Sequence, residues 1–141
     1  MLEANLNKAP MNFERLHGWH NALFKYSHSK IYKIKRAKFR DDEMSVVSGS
    51  QENVQIHYEA LPAERVEDKK FLNFINKNYE NAYVKSALAH LWFAIIHPYD
   101  DGNGRMARAL AHYCLATESI EPFSISSIIY ANKKDYYKIL E

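Results

Sequence analysis

The segment HPYDDGNGRMAR, residues 97–108, collects residue types that can handle a phosphate group. It orders a histidine, a carboxylate, a Gly-Asn-Gly turn and two arginines, namely His97, Asp101, Gly102, Asn103, Gly104, Arg105 and Arg108. The whole chain of 141 residues has four glycines, and two of them fall within this turn. Two glycines so close together in a glycine-poor chain indicate that the backbone of this turn has a special conformation or a close ligand.

The Gly-Asn-Gly turn predicts an anion site at the start of a helix. The first amides of a helix have no acceptor within it, and the helix dipole favours negative charge there. Glycine lets the backbone approach a ligand and adopt positive φ. Arg105 and Arg108 are three residues apart, so both project from the same side of the first turn. Guanidiniums bind phosphate oxygens through forked hydrogen bonds, which favours a polyphosphate over a single carboxylate as the ligand.

Asp101 and His97 extend this prediction from binding to chemistry. A carboxylate repels an anion unless a divalent cation bridges the two, as Mg²⁺ does between carboxylates and phosphates. His97 has an ordinary pKa of about 6.5 and is suited to take a proton from an incoming hydroxyl. Together they predict phosphoryl or nucleotidyl transfer. A Walker P-loop is excluded because its GxxxxGK[ST] spacing is missing. The alternative, a helix-ending histidine followed by a surface turn, leaves the ordered set of seven residues unexplained.

Hydrophobic periodicity and capping residues predict the elements that carry this segment. The fold class is all-α with one small β-hairpin, built from two β-rich runs, Ser45–Val47 and Val54–Tyr58. Predicted helices run from Asn12 to about Tyr26, from Leu61–Pro62 to about Asn76, from Asn81 to His97, from Gly104 to about Thr117, and, as one helix or a pair, from about Ser124 to the end.

The helix that begins at Asn81 has the clearest pattern. We expect its inward stripe to comprise Val84, Leu88, Leu91, Trp92, Ile95 and Ile96. Apolar residues reach beyond that stripe, which is typical of a buried central helix. Pro98 ends this helix, so His97 is expected at its C-terminus.

Composition favours one soluble, cytoplasmic domain over residues 1–141. The formal net charge is +2, and the N-terminus has no signal-peptide run. No stretch is long enough for a membrane span, and the lone Cys114 excludes a disulfide framework. The basic stretch Lys30–Arg40 offers a phosphate-backbone contact, but acidic residues follow at once. A solvated connector is therefore the preferred interpretation, and no nucleic-acid partner is expected.

The run HPYDDGNGRMAR resembles the signature of the Fic family, usually HxFx[D/E]GNGRxxR. The segments RLHGWHNALF, HYEALPAERV, ALAHLWFAIIHP and DYYKILE resemble that family too. The resemblance implies a protein adenylyltransferase that moves AMP from ATP to a hydroxyl of a target protein, with Mg²⁺, and releases pyrophosphate. Two alternatives stay open: a Fic enzyme that transfers or removes another phosphate-containing group, and a non-catalytic nucleotide-binding regulatory module.

The resemblance also implies residue roles. His97 would be the general base, Asp101 would hold Mg²⁺, and Arg105 and Arg108 would hold the β- and γ-phosphates. The amides of Gly102, Asn103 and Gly104, with the Asn103 side chain, would form the anion hole. The hairpin would be the flap that binds the target protein by strand addition. Residues expected to border the site there are Val46, Val47, Ser48 and Gly49. Tyr136 and Tyr137 would wall the adenine pocket, or are ordinary core aromatics.

Some positions depart from the family pattern or stand outside it. Tyr99 replaces the usual phenylalanine, and its hydroxyl needs a partner or water. The inhibitory pattern [S/T]xxxE[G/N] occurs as Ser48 to Asn53, in the hairpin turn, where we interpret it as accidental. The resemblance then implies a catalytic core without flanking N- and C-terminal segments; a homo-oligomer stays open. His17 and His20 are expected to be surface or partly buried histidines and not metal ligands.

Overall fold

A computed structural model of the chain describes residues 4, 6–24, 34–50, 53–121 and 123–140, with backbone only for residues 46–50, 53–55, 57 and 140. Within these residues the elements are α1 (Phe13–Leu23), β1 (Ser45–Ser50), β2 (Asn53–Glu59), a 3₁₀ turn (Ala63–Arg65), α2 (Lys69–Asn76), α3 (Ala82–Ile96), α4 (Asn103–Thr117), α5 (Ile125–Ala131) and α6 (Lys133–Leu140). The mainly helical fold with one hairpin is therefore confirmed. No helix of the described part has both the length and the apolarity needed to cross a membrane.

Side-chain caps decide where several helices begin. Asn12, Asn81 and Ser124 each accept a hydrogen bond from a first-turn amide. Asp68 does the same for the N–H groups of Lys70 (2.8 Å) and Phe71 (3.3 Å). The predicted helix from Leu61–Pro62 is thus wrong in its start: only a 3₁₀ turn forms there, and the carboxylate of Asp68 begins α2 anew.

The core forms where α3 packs against α4, with α1 and α2 covering it. Its largest members include Leu16, Phe71, Ile75, Phe93, Met106 and Leu110. Full burial of each such side chain contributes about 1.5–3 kcal/mol to folding. The packing fixes the end of α3 and the start of α4, and therefore the segment that joins them.

The buried face of α3 differs from the predicted stripe. Val84, Leu88 and Ile95 are 45%, 39% and 39% exposed, whereas Ala89 and Phe93 are almost fully buried. Because α3 is apolar nearly all round, its sequence period does not select one face. The close approach of α4 does so, and it also buries polar Ser86, whose hydroxyl donates to the Ala111 carbonyl (3.0 Å).

The hairpin leans on the end of α3. β1 and β2 pair antiparallel from Ser45↔Glu59 to Ser50↔Asn53, with an irregularity between Val46 and Val47. The Tyr58 hydroxyl donates to the Ile95 carbonyl at 2.8 Å. An isolated hairpin is marginally stable in water, so this anchor supports it. The turn residues 51 and 52, with Glu52 of the inhibitory pattern, lie outside the described residues.

Candidate functional site

His97 lies at the C-terminal cap of α3 in the left-handed region, with φ 48° and ψ 56°. The proline that follows disfavours the right-handed helical region for this residue. A non-glycine residue at positive φ costs on the order of 1–3 kcal/mol and persists only where its surroundings fix it. Its N–H donates to the Phe93 carbonyl (3.0 Å), and its carbonyl accepts from Nε of Arg40 (2.8 Å).

The His97 ring has a defined protonation pattern. Its Nδ1 lies 3.2 Å from the Ala94 carbonyl oxygen. A carbonyl only accepts, so Nδ1 carries the proton and Nε2 presents its lone pair. Burial lowers the pKa of His97 below its ordinary value, and the charge of Arg40 lowers it further, against opposing effects of the Ala94 bond and Asp101. A neutral imidazole with a free Nε2 is the form that a general base requires.

Asn103 braces the loop between the two helices. Its side-chain oxygen accepts the Tyr99 N–H (2.9 Å), and its side-chain nitrogen donates to the Tyr99 carbonyl (2.7 Å). The side chain is buried, so both polar atoms need such partners. The side-chain oxygen and one of the two side-chain N–H groups are therefore used within the loop, and a part for the Asn103 side chain in an anion hole stays a prediction.

Tyr99 finds the partner that its hydroxyl requires. The ring is fully buried, and its Oη lies 3.0 Å from Nδ1 of His17. Burial raises the pKa of Tyr99, so the phenol stays neutral. The ring of His20 stacks on that of Tyr99, with 3.8 Å between centroids and 9° between planes. Both α1 histidines therefore contact Tyr99 and help to hold the loop against α1.

His20 links α1 directly to Asp101. Its Nδ1 accepts from the Ala37 N–H (3.2 Å), and its Nε2 donates to the Asp101 carbonyl (3.0 Å). Burial lowers the pKa of His20, which favours this neutral form. His20 is fully buried, where the sequence predicted a surface or partly buried histidine, and its bracing role had no local signal.

The start of α4 has the features predicted for an anion site. Gly102 has φ 84°, and its N–H is bound by the Asp101 carboxylate (2.5 Å). The first intrahelical bond runs from the Met106 N–H to the Gly102 carbonyl (2.9 Å). The amides of residues 103–105 therefore precede the helical ladder and have no acceptor within it. A Cβ at Gly102 would also meet the Phe24 ring at 3.1 Å. Both φ and packing require glycine there.

Arg105 and Asp101 lie together at the open edge of the loop. Nη2 of Arg105 is 3.5 Å from the Asp101 carboxylate, and the two side chains are 44% and 56% exposed. The Arg105 guanidinium also lies over the Phe24 ring, 4.7 Å from its centroid. This loose, solvated pair is free to exchange partners when a ligand enters.

Arg108, three residues further along α4, has different neighbours from Arg105. It is half buried, and Nη1 lies 3.6 Å from a Cβ placed on Gly104. Burial lowers the pKa of His90, and the positive charge of Arg108 lowers it further. Burial raises the pKa of Tyr136, which the same charge opposes. The two arginines thus diverge: Arg105 lies toward Asp101, and Arg108 toward His90 and Tyr136.

The residues fit a divalent cation that shares phosphate oxygens. Mg²⁺ is usually held by one or two carboxylates together with substrate phosphates and waters. Asp101 supplies one half-exposed carboxylate next to the anion site. Among the described residues, no group of three or more His, Cys, Asp or Glu side chains is placed to hold a metal ion. A metal at Asp101 would therefore take its remaining ligands from substrate phosphates and water.

The predicted adenine-wall tyrosines point in different directions. Tyr136 hydrogen-bonds Nε2 of His90 (2.9 Å) and lines an apolar groove of about 380 Å³ between α3, α4, α5 and α6. Tyr137 is 53% exposed and packs edge-on against Tyr136, with 5.4 Å between ring centroids. Tyr136 thus lies on the wall of the groove and Tyr137 is more exposed, and a role of either in an adenine pocket stays a prediction.

The predicted flap residues 46–49 lie in β1, and their side chains are outside the description. Among the described residues β1 pairs only with β2, so no described strand occupies its other edge, which is where a further strand could add. The anchor from Tyr58 to Ile95 holds the hairpin two residues before His97. The hairpin and the base are therefore close in the fold.

Comparisons with known proteins agree with the geometry. A profile of the Fic/DOC family matches residues 10–115, which include the entire segment from His97 to Arg108. A Fic-domain-containing signalling protein from Bacteroides thetaiotaomicron VPI-5482 is similar in structure, with TM-score 0.71, 20% identity, 97% of this chain covered and 50% of that one. A Fic family protein from Desulfovibrio desulfuricans G20 is similar with TM-score 0.63, 23% identity, 99% of this chain covered and 42% of that one.

The chain spans half or less of the length of these two solved proteins. At such identities the structural likeness establishes the fold alone. The profile match is the stronger finding, because it extends over well more than half of the 141 residues. On that ground, the chain belongs to the Fic/DOC family.

Proposed function

We propose that this chain is a protein adenylyltransferase, which moves AMP from ATP to a Tyr, Ser or Thr hydroxyl of a target protein and releases pyrophosphate. The observation that carries the proposal is the state of His97. Its Nδ1 is committed to the Ala94 carbonyl and its pKa is lowered by burial, so Nε2 is available as a base next to the start of α4.

In this reaction Nε2 of His97 takes the proton of the target hydroxyl. The hydroxyl oxygen forms a bond to the α-phosphorus, and the bond from that phosphorus to the β-phosphate oxygen breaks. Pyrophosphate leaves with the electron pair of the broken bond. A positioned general base contributes typically about 10²–10⁴-fold to such a step.

The start of α4 would hold the phosphates. Amides of residues 103–105 point along the helix axis at the developing negative charge, and Arg105 and Arg108 supply cations on either side. Asp101 is the carboxylate that would hold Mg²⁺, which when bound neutralises phosphate charge. Because Asp101 and Arg105 form a loose pair at 3.5 Å, an arriving phosphate can take over the guanidinium.

The target protein is proposed to bind at the hairpin. The open edge of β1 offers backbone groups to an extended segment, and strand addition would present its side chains to His97. Val46, Val47, Ser48 and Gly49 are the residues along this edge. Backbone pairing explains why the flap carries little side-chain information about the target's identity.

Labelling with α-labelled ATP, Mg²⁺ and a lysate, or the chain itself, tests the proposal. The wild-type chain is expected to transfer label, and His97→Ala to lose about 10²–10⁴-fold of that rate. Mg-ATP binding by calorimetry and the helical circular dichroism should be retained. Label that survives His97→Ala would contradict the assigned base. ATP binding without labelling would favour the non-catalytic nucleotide-binding module instead.

The pH profile provides a second check. The base must be neutral, so kcat/KM should fall as the pH drops through the pKa of His97. Since burial lowers that pKa below its ordinary value of about 6.5, the rate should be largely preserved at pH 6.5. An acid limb centred above pH 7 would argue against His97 as the titrating group.

A further inference from the structure

Arg40 makes an unusual set of contacts for a charged residue. It is 2% exposed, and it binds three successive carbonyls of the turn that carries His97. Nη2 donates to Ile96 (3.5 Å), Nε to His97 (2.8 Å), and the backbone N–H to Pro98 (2.9 Å). One residue thus satisfies the backbone on both sides of the strained left-handed position.

The same guanidinium also joins the two ends of the hairpin. Nη1 donates to the Asp42 carbonyl (2.8 Å), three residues before β1, and Nη2 donates to the Leu61 carbonyl, two residues after β2. These donors span three chain segments that are distant in sequence. Arg40 therefore connects the hairpin's entry and exit to the end of α3.

Elementary electrostatics explains why an arginine occupies this position. The last carbonyls of a helix carry partial negative charge, which a cation offsets. A planar guanidinium has five donors in a fixed fork and can reach several carbonyls at once. A lysine ammonium carries the same charge on one nitrogen and is unable to span these acceptors. The charged groups that act on His97 are Arg40 from the connector and Asp101 from the loop.

We propose that Arg40 is a positioning residue for His97, which fixes the backbone of the base and couples it to the hairpin that receives the target. The kinetic part of this inference rests on the proposed adenylyl transfer. The alternative is that Arg40 only stabilises the fold, in which case each folded molecule would keep full activity after its substitution.

The variants Arg40→Met and Arg40→Lys separate these roles. Both lose the fork, and only the lysine keeps the charge. We expect kcat for label transfer, per folded molecule, to fall by up to about 10²-fold, as for a misplaced reacting group. The KM for ATP should change by less than twofold, because the phosphate groups bind at α4. The stoichiometry of Mg-ATP binding gives the folded fraction. Arg65→Met, at an exposed arginine of the 3₁₀ turn, is the matched control and should behave as wild type.

Two NMR readouts need no substrate. Exchange of the His97 N–H, which donates to Phe93, should accelerate in both Arg40 variants by more than exchange of a core amide of α4 such as that of Leu110, because a general loss of stability would accelerate both alike. A ring titration should show the pKa of His97 rising in Arg40→Met and staying low in Arg40→Lys, since removal of a nearby cation favours the protonated imidazole.

The outcomes separate the two proposals. Unchanged kcat per folded molecule, or unchanged His97 exchange, would overturn the role of Arg40. A wild-type chain that transfers no label would overturn the adenylyltransferase proposal while leaving the NMR readouts to decide on Arg40 alone. In that case His97 exchange accelerated beyond that of the core amide supports the positioning role, and exchange that is unaltered or accelerated equally rejects it.

Discussion

The two halves of the loop between α3 and α4 are built in opposite ways. In the first half, from Ile96 to Tyr99, every residue except the half-buried His97 is buried, and Arg40 binds the carbonyls of the first three residues. In the second half, from Asp101 to Arg105, Gly102 and Asn103 are buried, but the charged side chains of Asp101 and Arg105 are half exposed and paired at 3.5 Å. One half is fixed by the protein, and the other has groups ready to exchange partners.

This difference matches the roles proposed for the two halves. A base works in one orientation and one protonation state, so burial and directed hydrogen bonds serve it. Phosphate-binding cations must be accessible and must release their resting partner at low cost, so partial exposure serves them. The predictions below separate the halves, and they run from the largest expected effect to the smallest.

Substitution of His20 should destabilise the loop on both sides of the division, because its ring stacks on Tyr99 and its Nε2 donates to the Asp101 carbonyl. His20→Leu removes the hydrogen bonds to the Asp101 carbonyl and the Ala37 N–H, each worth about 0.5–1.5 kcal/mol, and the ring that stacks on Tyr99, worth about 0.5–1.5 kcal/mol. The free energy of unfolding in urea should therefore fall by about 2–4 kcal/mol. His20→Gln, which keeps one donor and one acceptor, should lose clearly less. Equal losses for the two variants would show that the hydrogen bonds are not the cause.

Substitution of Arg105 should affect only the open half. Arg105→Ala removes the charge-assisted hydrogen bonds proposed to hold phosphate. Such bonds are worth about 1.5–3 kcal/mol, so the Kd of Mg-ATP by calorimetry should rise about 10- to 150-fold. The free energy of unfolding should stay within about 0.5 kcal/mol of wild type, since the side chain is half exposed. Arg105→Lys keeps the charge and should lose less affinity. A large loss of stability in Arg105→Ala would contradict the division into two halves.

Removal of the Tyr99 hydroxyl tests how firmly the fixed half depends on α1. Tyr99→Phe deletes the hydrogen bond to His17 and should lower the free energy of unfolding by about 1 kcal/mol. Phenylalanine is the usual residue at this position of the Fic signature, so label transfer should stay within about twofold, well below the 10²-fold scale of a misplaced group. A tenfold loss of rate would instead give the hydroxyl a part in the chemistry.

Phe24 should produce the smallest effect, because it acts on the open half through Arg105. Phe24→Leu removes the ring beneath the guanidinium, a contact worth about 0.5–1 kcal/mol, and should weaken Mg-ATP binding about two- to fivefold. In an Arg105→Ala background the same substitution should change the Kd no further. Additive losses in the double variant would mean that Phe24 acts through some other contact, such as its packing on Gly102.

Local sequence signals identified much of the molecule. The caps at Asn12, Asn81 and Ser124 were predictable because a side-chain oxygen and the amide that it binds lie within three residues. The predicted helix ending near Thr117 is confirmed as α4, which ends at that residue. The Gly-Asn-Gly turn, its positive φ and the helix after it follow from the types of a few adjacent residues.

Contacts between distant segments decided the rest. Arg40 is 57 residues from His97, and His20 is 81 residues from Asp101, so neither role has a local pattern. The same holds for the buried face of α3, which an all-round apolar sequence leaves open until α4 packs against it. The sequence by itself determined which groups the site contains and on which helix ends they stand. The tertiary structure decided which of these groups are held in place by buried partners and which stay accessible. Burial and long-range hydrogen bonds exist only once the helices have packed.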